Sequence, residues 1–210
     1  MRGFARYGSN GWLSGPRPDS PGTVRRVPDP LRGRLLVSTP GLRDPHFDRS
    51  VVLLVDHDEN GALGVILNRP SATPVADVLP SWQDLASDPP LVFAGGPVDG
   101  TAAICLGSTR PGVDTEAVRA VSPTLGVVDL DSDPALLAAD VAYVRIFAGY
   151  AGWGAGQLDA EIEAGGWFVV DSLPGDAFTA APGQLWRVVL RRQGGRLAFV
   201  ATYPEDPGAN

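Results

Sequence analysis

Residues 50–69 read SVVLLVDHDENGALGVILNR, and the fold turns on this stretch. Two apolar runs rich in β-branched residues, SVVLLVDH and ALGVILNR, are separated by DENG. The Asn60-Gly61 pair supplies the positive φ values that a tight hairpin connection needs. Unbroken apolarity from Val51 to Val55 implies that both faces of the first strand are covered, which places it centrally in a sheet.

Upstream, Arg34–Ser38 reads as the first strand, and the prolines and glycine between Pro40 and Pro45 as a turn-like segment. Residues 1–30 are rich in Gly, Pro, Ser and Arg and lack periodicity. They are expected to form a disordered leader ahead of a single domain over 31–207. Downstream, VADVLPSW suggests short helical pieces. LVFAGGPV and AAICLGS read as two strands around a glycine-proline turn, in a mostly antiparallel sheet.

Asp133-Pro134 has the form of an N-cap and first helical residue, opening a short helix through Asp140 that leads into the strand AYVRIFAG and a glycine-rich turn. From Ala155, QLDAEIEAGG reads as a helix with Leu158 and Ile162 on one face and Asp159 and Glu163 on another. Trp167–Val170 follows as a strand. Residues 183–193 place Leu185, Trp186, Val189 and Leu190 on one helical stripe, opposite Arg187 and Arg191.

No window approaches the roughly 18 apolar residues of a spanning helix. The N-terminus, MRGFARYGSNGWLSG, has arginines but no apolar core of a secretory signal, so a cytoplasmic protein without a membrane partner is expected. Cys105 is the only cysteine, and its apolar setting in AAICLG predicts a buried, inert thiol. All 17 basic residues are arginine. Seven fall within residues 1–34 against Asp19 and Asp29, so that segment carries +5 and the remainder −12, giving the net −7. So acidic a body repels a phosphate backbone, which disfavours DNA binding by it.

The segment AYVRIFAGYAGWGAGQLDAEIEAGGWFVVD imitates a dinucleotide-binding strand, turn and helix, but Gln157 and Asp159 stand where the third glycine of G-x-G-x-x-G is required. A weaker form of the idea survives, in which backbone N–H groups from Gly154 to Gln157 open a helix and attract an anion. The competing structural reading is that the glycines let Tyr150 and Trp153 pack where chains cross, with Gln157 capping backbone groups. AGGPVDG likewise reads either as a ligand-holding loop or as a tight turn between strands. Asp159, Glu161 and Glu163 read as a solvated face, since alternate helical residues point about 200° apart. With two histidines and no H-E-x-x-H, G-x-S-x-G or Walker A pattern, no metal, cofactor or catalytic residue is assigned.

Three blocks, GRLLVSTPGLRDPHFDRSVVLLVDHDENGALGVILNRP, AGGPV and VRIFAGYAGWGAGQLDAEIEAGGW, together resemble the AlgH/YqgE family from about Leu31 to Pro207. The resemblance implies an α+β domain whose mostly antiparallel, strongly curved or bifurcated, barrel-like β-sheet is surrounded by short helices and loops. Some members carry a transcriptional-regulator label that names no operator, reaction or ligand, and the family hands over no established catalytic residues.

Matching positions are Phe47, Ser50, Gly61, Gly64, Asn68, Arg69 and Pro70, then Gly95 to Pro97, then Gly149 to Trp153 with Gln157, Leu158 and Glu161. The candidate ligand-binding residues are Asn68, Arg69, Gly95, Gly96, Pro97, Tyr150, Gly152, Trp153, Gly154, Gln157 and Glu161. The leading functional expectation is a non-enzymatic cytoplasmic regulatory or binding domain with a protein partner. The alternative is a sensor or enzyme for an anionic small molecule such as a nucleotide. A third reading grips DNA through the leader and the Arg187, Arg191 and Arg192 face.

Overall fold

The hairpin of residues 50–69 forms, with β3 (Val51–Asp58) antiparallel to β4 (Gly61–Ile66). The structure is a computed structural model that describes residues 31–203 and the backbone of a two-residue strand, β1 (Ala5–Arg6). The leader expected over residues 1–30 otherwise lies outside the described residues. The hairpin turn sits one residue earlier than the Asn60-Gly61 reading. Glu59 and Asn60 make the turn, and Asp58 accepts hydrogen bonds from the Asn60 backbone N–H and side-chain amide. Asn60 has no positive φ, and Gly61 is already the first residue of β4.

β3 is central, as its unbroken apolar run predicts. β2 (Arg34–Ser38) pairs along one edge and β4 along the other, while Leu53 and Val55 enter one core and Val52 and Leu54 another. The remaining strands are β5 (Pro70–Pro74), β6 (Leu91–Ala94), β7 (Val98–Thr109), β8 (Val118–Ser122), β9 (Leu125–Val128), β10 (Val141–Gly154) and β11 (Trp167–Asp171). The main path runs β11-β2-β3-β4-β10-β7-β9-β8, with every neighbouring pair antiparallel. The result is a strongly curled, half-barrel sheet in an α+β domain.

The curl is made by β10. Its first part, up to Tyr150, pairs with β7, and its last part, Ala151–Gly154, pairs with β4, so one strand carries the chain from one sheet surface to the other. The ladder is irregular between Ala148 and Tyr150, where Gly149 has φ +72°. The glycine-rich turn expected after AYVRIFAG is therefore strand. Only Ala155-Gly156 turns, before α3 (Gln157–Glu163).

The segment between β6 and β7 is not a hairpin turn either. β6 lies parallel on one edge of β10 and β7 antiparallel on the other, so Gly95-Gly96-Pro97 crosses β10 from edge to edge. A Cβ on Gly95 would stand 2.2 Å from the Gly149 oxygen, and one on Gly96 2.1 Å from the Tyr150 carbonyl carbon. The connecting backbone can pass this closely only because Gly95 and Gly96 carry no side chain.

Short helices cover the sheet: α1 (Val75–Val78), α2 (Pro134–Leu137), α3, α4 (Leu185–Arg192) and α5 (Gly195–Val200). Asp133 caps α2 as expected, accepting from the Ala135 N–H at 2.9 Å, although α2 stops four residues in rather than reaching Asp140. The predicted stripe of α4, Leu185, Trp186, Val189 and Leu190, is buried in the core shared with Leu53, Phe93 and Phe147. A second core beneath α1 and α2 holds Trp82, Cys105, Val144 and Ile146, and a third beneath α3 holds Trp153, Leu158 and Trp167. Among the described residues, no helix is long and apolar enough to cross a membrane.

Candidate functional site

Gln157 and Glu161 are four residues apart on α3 and so share a face, and although Gln157 is exposed, both side chains reach back to the end of β10. The Gln157 amide donates to Glu161 Oε1 at 3.0 Å, and its Oε1 accepts the Gly154 N–H at 3.1 Å. Glu161 Oε2 accepts both indole N–H groups, Trp153 and Trp167, each at 2.9 Å. Glu161 is thus no member of a solvated face: it satisfies two donors whose rings are 5% and 3% exposed.

Phe47 closes the cluster. Its ring stacks on Trp153 at 6.1 Å and meets the edge of Trp167 at 5.3 Å, while the two indoles stand 6.0 Å apart. Edge-to-face and offset aromatic contacts of this kind add roughly 0.5–1.5 kcal/mol each beyond their buried area.

The loop that carries Phe47 is held by the next pair of predicted residues. Asn68 donates to the Arg49 carbonyl at 2.8 Å and accepts the Val51 N–H at 2.9 Å, while Arg69 donates to the Asp48 carbonyl at 2.7 Å. Arg49 is kept at φ +48°, its guanidinium 5.0 Å from the centre of the Trp186 ring and bonded to the Tyr203 carbonyl. Ser38 fastens the loop's end, its hydroxyl donating to the Ser50 carbonyl and accepting the Ser50 N–H.

The eleven candidate residues therefore fall into three groups along one continuous path. Trp153, Gly154, Gln157 and Glu161 build the aromatic–carboxylate cluster. Asn68 and Arg69 position the Phe47 loop against it. Gly95, Gly96, Pro97, Tyr150 and Gly152 lie at the β10 crossing, joined to the second group by the Ala94 N–H donating to the Arg69 carbonyl and the Ile66 N–H to the Gly95 carbonyl.

Two residues of the cluster stand outside the candidate set read from sequence. Phe47 matched a family block without a ligand role, and Trp167 was read only as the start of a strand. Trp167 carries a sequence signal, closing the block that holds the Gln157–Glu161 helix, whereas Phe47 lies 110 residues before Gln157 and only the fold brings it there.

The geometry opposes the anion reading of the helix start. α3 has seven residues, Gly156 caps it in the left-handed conformation, the Gly154 N–H is already taken by Gln157, and Asp159 lies in the first turn. The arginine face is also largely committed inward. Arg192 forks onto Asp176 at 2.6 and 2.7 Å, and Arg187 donates to the Ala201 carbonyl at 2.8 Å. Cys105 is 1% exposed, and burial pushes its thiol well above the usual range, as its apolar setting predicts. Arg145, 2% exposed, lies 4.3 Å from the Phe93 ring centre and donates to the Asp88 and Thr179 carbonyls. Desolvation lowers its pKa to about 10, although the Asp88 charge acts to raise it. Among the described residues no group of three His, Cys, Asp or Glu side chains could hold a metal.

The glycine crossing and the Glu161 cluster are built from the same three sequence blocks that carry the family resemblance, and a family model described as AlgH-like matches residues 35–198. The chain belongs to the AlgH-like family. Among AlgH-like relatives, a UPF0301 protein of Streptomyces coelicolor is 54% identical over 184 residues, 86% of this chain and 95% of its own length. A UPF0301 protein of Mycobacterium tuberculosis is 49% identical over 181 residues, covering 85% and 90%.

The fold is likewise shared with solved structures. A Corynebacterium diphtheriae protein superposes with a TM-score of 0.77 at 35% identity, over 83% of this chain and 93% of its own. The solution structure of the AlgH protein from Pseudomonas aeruginosa does so with a TM-score of 0.62 at 28% identity, over 84% and 95%. None of these names states an activity or a ligand.

Proposed function

We propose that this AlgH-like chain is a non-enzymatic regulatory or binding domain of the cytoplasm that meets its partner through a folded surface. One observation carries the reading: the polar side chains of the sequence-marked site are spent on the protein itself. Asn68, Arg69, Gln157 and Glu161 each bond backbone or indole groups of the same chain. An enzyme or small-molecule site instead converges a few polar groups on an open cavity, ready for a ligand. A rigid aromatic–carboxylate cluster fits a different task, which is to hold a loop and a sheet bend in one shape so that the surrounding surface is preorganised.

The test is native mass spectrometry of the full chain purified gently from its own host, paired with an activity screen. Retention of a macromolecular partner, with no turnover, is the expected result. Turnover that depends on a residue between Gly149 and Glu161, or a stoichiometric small anion retained in the spectrum, would overturn it.

A further inference from the structure

Two side chains stand out on the described surface: Leu136 of α2 and Phe199 of α5 are each 79% exposed, more than any other large apolar residue there. A single exposed apolar residue needs no explanation, but these two sit in settings of opposite charge. Leu136 is preceded by Asp129, Asp131 and Asp133, all exposed. Phe199 belongs to a stretch with no carboxylate at all. Between Asp176 and Glu205 the charged residues are Arg187, Arg191, Arg192 and Arg196, in a chain whose net charge is −7. Arg191 and Arg196 are exposed, Arg196 lies three residues before Phe199 on the same helical face, and Val188 and Tyr203 are 48% and 50% exposed nearby in sequence.

The two patches cannot meet within one molecule. α2 places Leu137 in the core that holds Val144 and Ile146, whereas α4 places Val189 and Leu190 in the core that holds Phe147. Because neighbouring residues of β10 point to opposite faces of the sheet, the acidic and basic patches lie on opposite sides of it.

Resting on the binding-domain reading, we infer that the α4–α5 surface around Phe199, Arg191 and Arg196 docks onto the α2 surface around Leu136, Asp129 and Asp131 of a second copy of this chain. The contact pairs an apolar anchor with an apolar anchor and cations with carboxylates. Its two sides differ, so it is head-to-tail, and each added copy presents a fresh acidic face and a fresh basic face. Charge complementarity of this kind sets register and partner choice, and salt weakens it.

The experiment is sedimentation velocity on the full chain over a range of protein concentrations, in low salt and again in about 0.5 M NaCl, where the screening length falls to a few ångströms. Concentration-dependent assembly that weakens on the order of tenfold in high salt is expected. The double variants R191D/R196D and D129R/D131R should each be monomeric alone and should associate when mixed, because each keeps the face the other has lost. That complementation distinguishes docking from misfolding, and F199S, which touches no charge, should weaken assembly as well.

A wild-type chain that stays monomeric in low salt would overturn the inference, as would assembly indifferent to both charge reversals. A wild-type chain that instead binds an oligonucleotide or anionic vesicles through Arg191 and Arg196 without self-assembly would overturn it too. The binding-domain reading fails by a different result, turnover, so the two can be told apart.

Discussion

The carbonyl oxygen of Trp153 lies 2.2 Å from where a Cβ on Gly61 would stand. Gly61 also has φ +144°, so an alanine there meets both a clash with backbone and a backbone conformation that L residues rarely adopt. Gly61→Ala is predicted to cost about 3 kcal/mol or more, read as a lower urea midpoint. Asn60→Ala, at the turn itself, should cost under about 1 kcal/mol, because it removes only the exposed bond from the Asn60 side-chain amide to Asp58, while the backbone N–H keeps its own bond to that carboxylate.

Glu161→Ala removes the shared acceptor of two buried indole N–H groups. Leaving them without a partner is predicted to cost about 2–4 kcal/mol, measured by urea unfolding, and to change the tryptophan emission of the folded protein. Glu161→Gln keeps one acceptor oxygen and should recover part of the loss. Equal destabilisation by the two variants would show that the indole bonds do not carry the effect.

Asn68 holds two backbone groups that flank Ser50, and Asn68→Ala is predicted to lower stability by about 1–2 kcal/mol. Its signature is local: amide exchange at Val51 should quicken more than at Leu53 in the centre of β3. Uniform quickening along β3 would argue against a clamp.

Asp176 is 6% exposed and is chelated by Arg192. Arg192→Ala leaves that carboxylate buried without its cation and is predicted to cost about 3 kcal/mol. Arg191→Ala, one position along on an exposed site, should change stability by less than about 0.5 kcal/mol. The comparison of thermal midpoints tells a structural arginine from a surface one.

The thiol of Cys105 lies in the core beneath α1 and α2, and burial holds it protonated. Alkylation by iodoacetamide at neutral pH should therefore be negligible in the folded chain and fast in denaturant. Rapid modification of the native protein would contradict that placement.

How legible the molecule is from its sequence depends on the range of the forces involved. β3 and β4 are readable because each is an unbroken apolar, β-branched run beside turn residues, and the α4 stripe because it repeats every 3.6 residues, both matched by burial in the fold. β8 and β9 were not anticipated, since Val118–Ser122 and Leu125–Val128 are short and set around a proline, and their pairing draws on β7. α5 was not anticipated either: it opens on Gly195 and buries no residue of its own fully, so no apolar stripe marks it.

The candidate site shows the same division. Glycine and aromatic enrichment marked the blocks at 95–97 and 149–157 as places where something particular happens, and the choice between a phosphate loop and a close crossing stayed open. The crossing is what the fold contains, because β6 and β7 take opposite edges of β10 and the connecting backbone must pass over it. Sequence alone reads Glu161 as solvated, since helical geometry cannot say which face of α3 meets the protein. Trp153 and Trp167, brought from two strands, decide that.

The amino-acid sequence by itself determined a hairpin-centred, mostly antiparallel α+β domain, its family and the buried face of α4, since local periodicity and turn chemistry act over a few residues. Only the tertiary structure decided that the glycines are crossing points, that Glu161 serves two indoles, and that acidic and basic apolar patches face opposite ways. Those are meetings between residues distant along the chain, and no local pattern encodes which distant partner arrives.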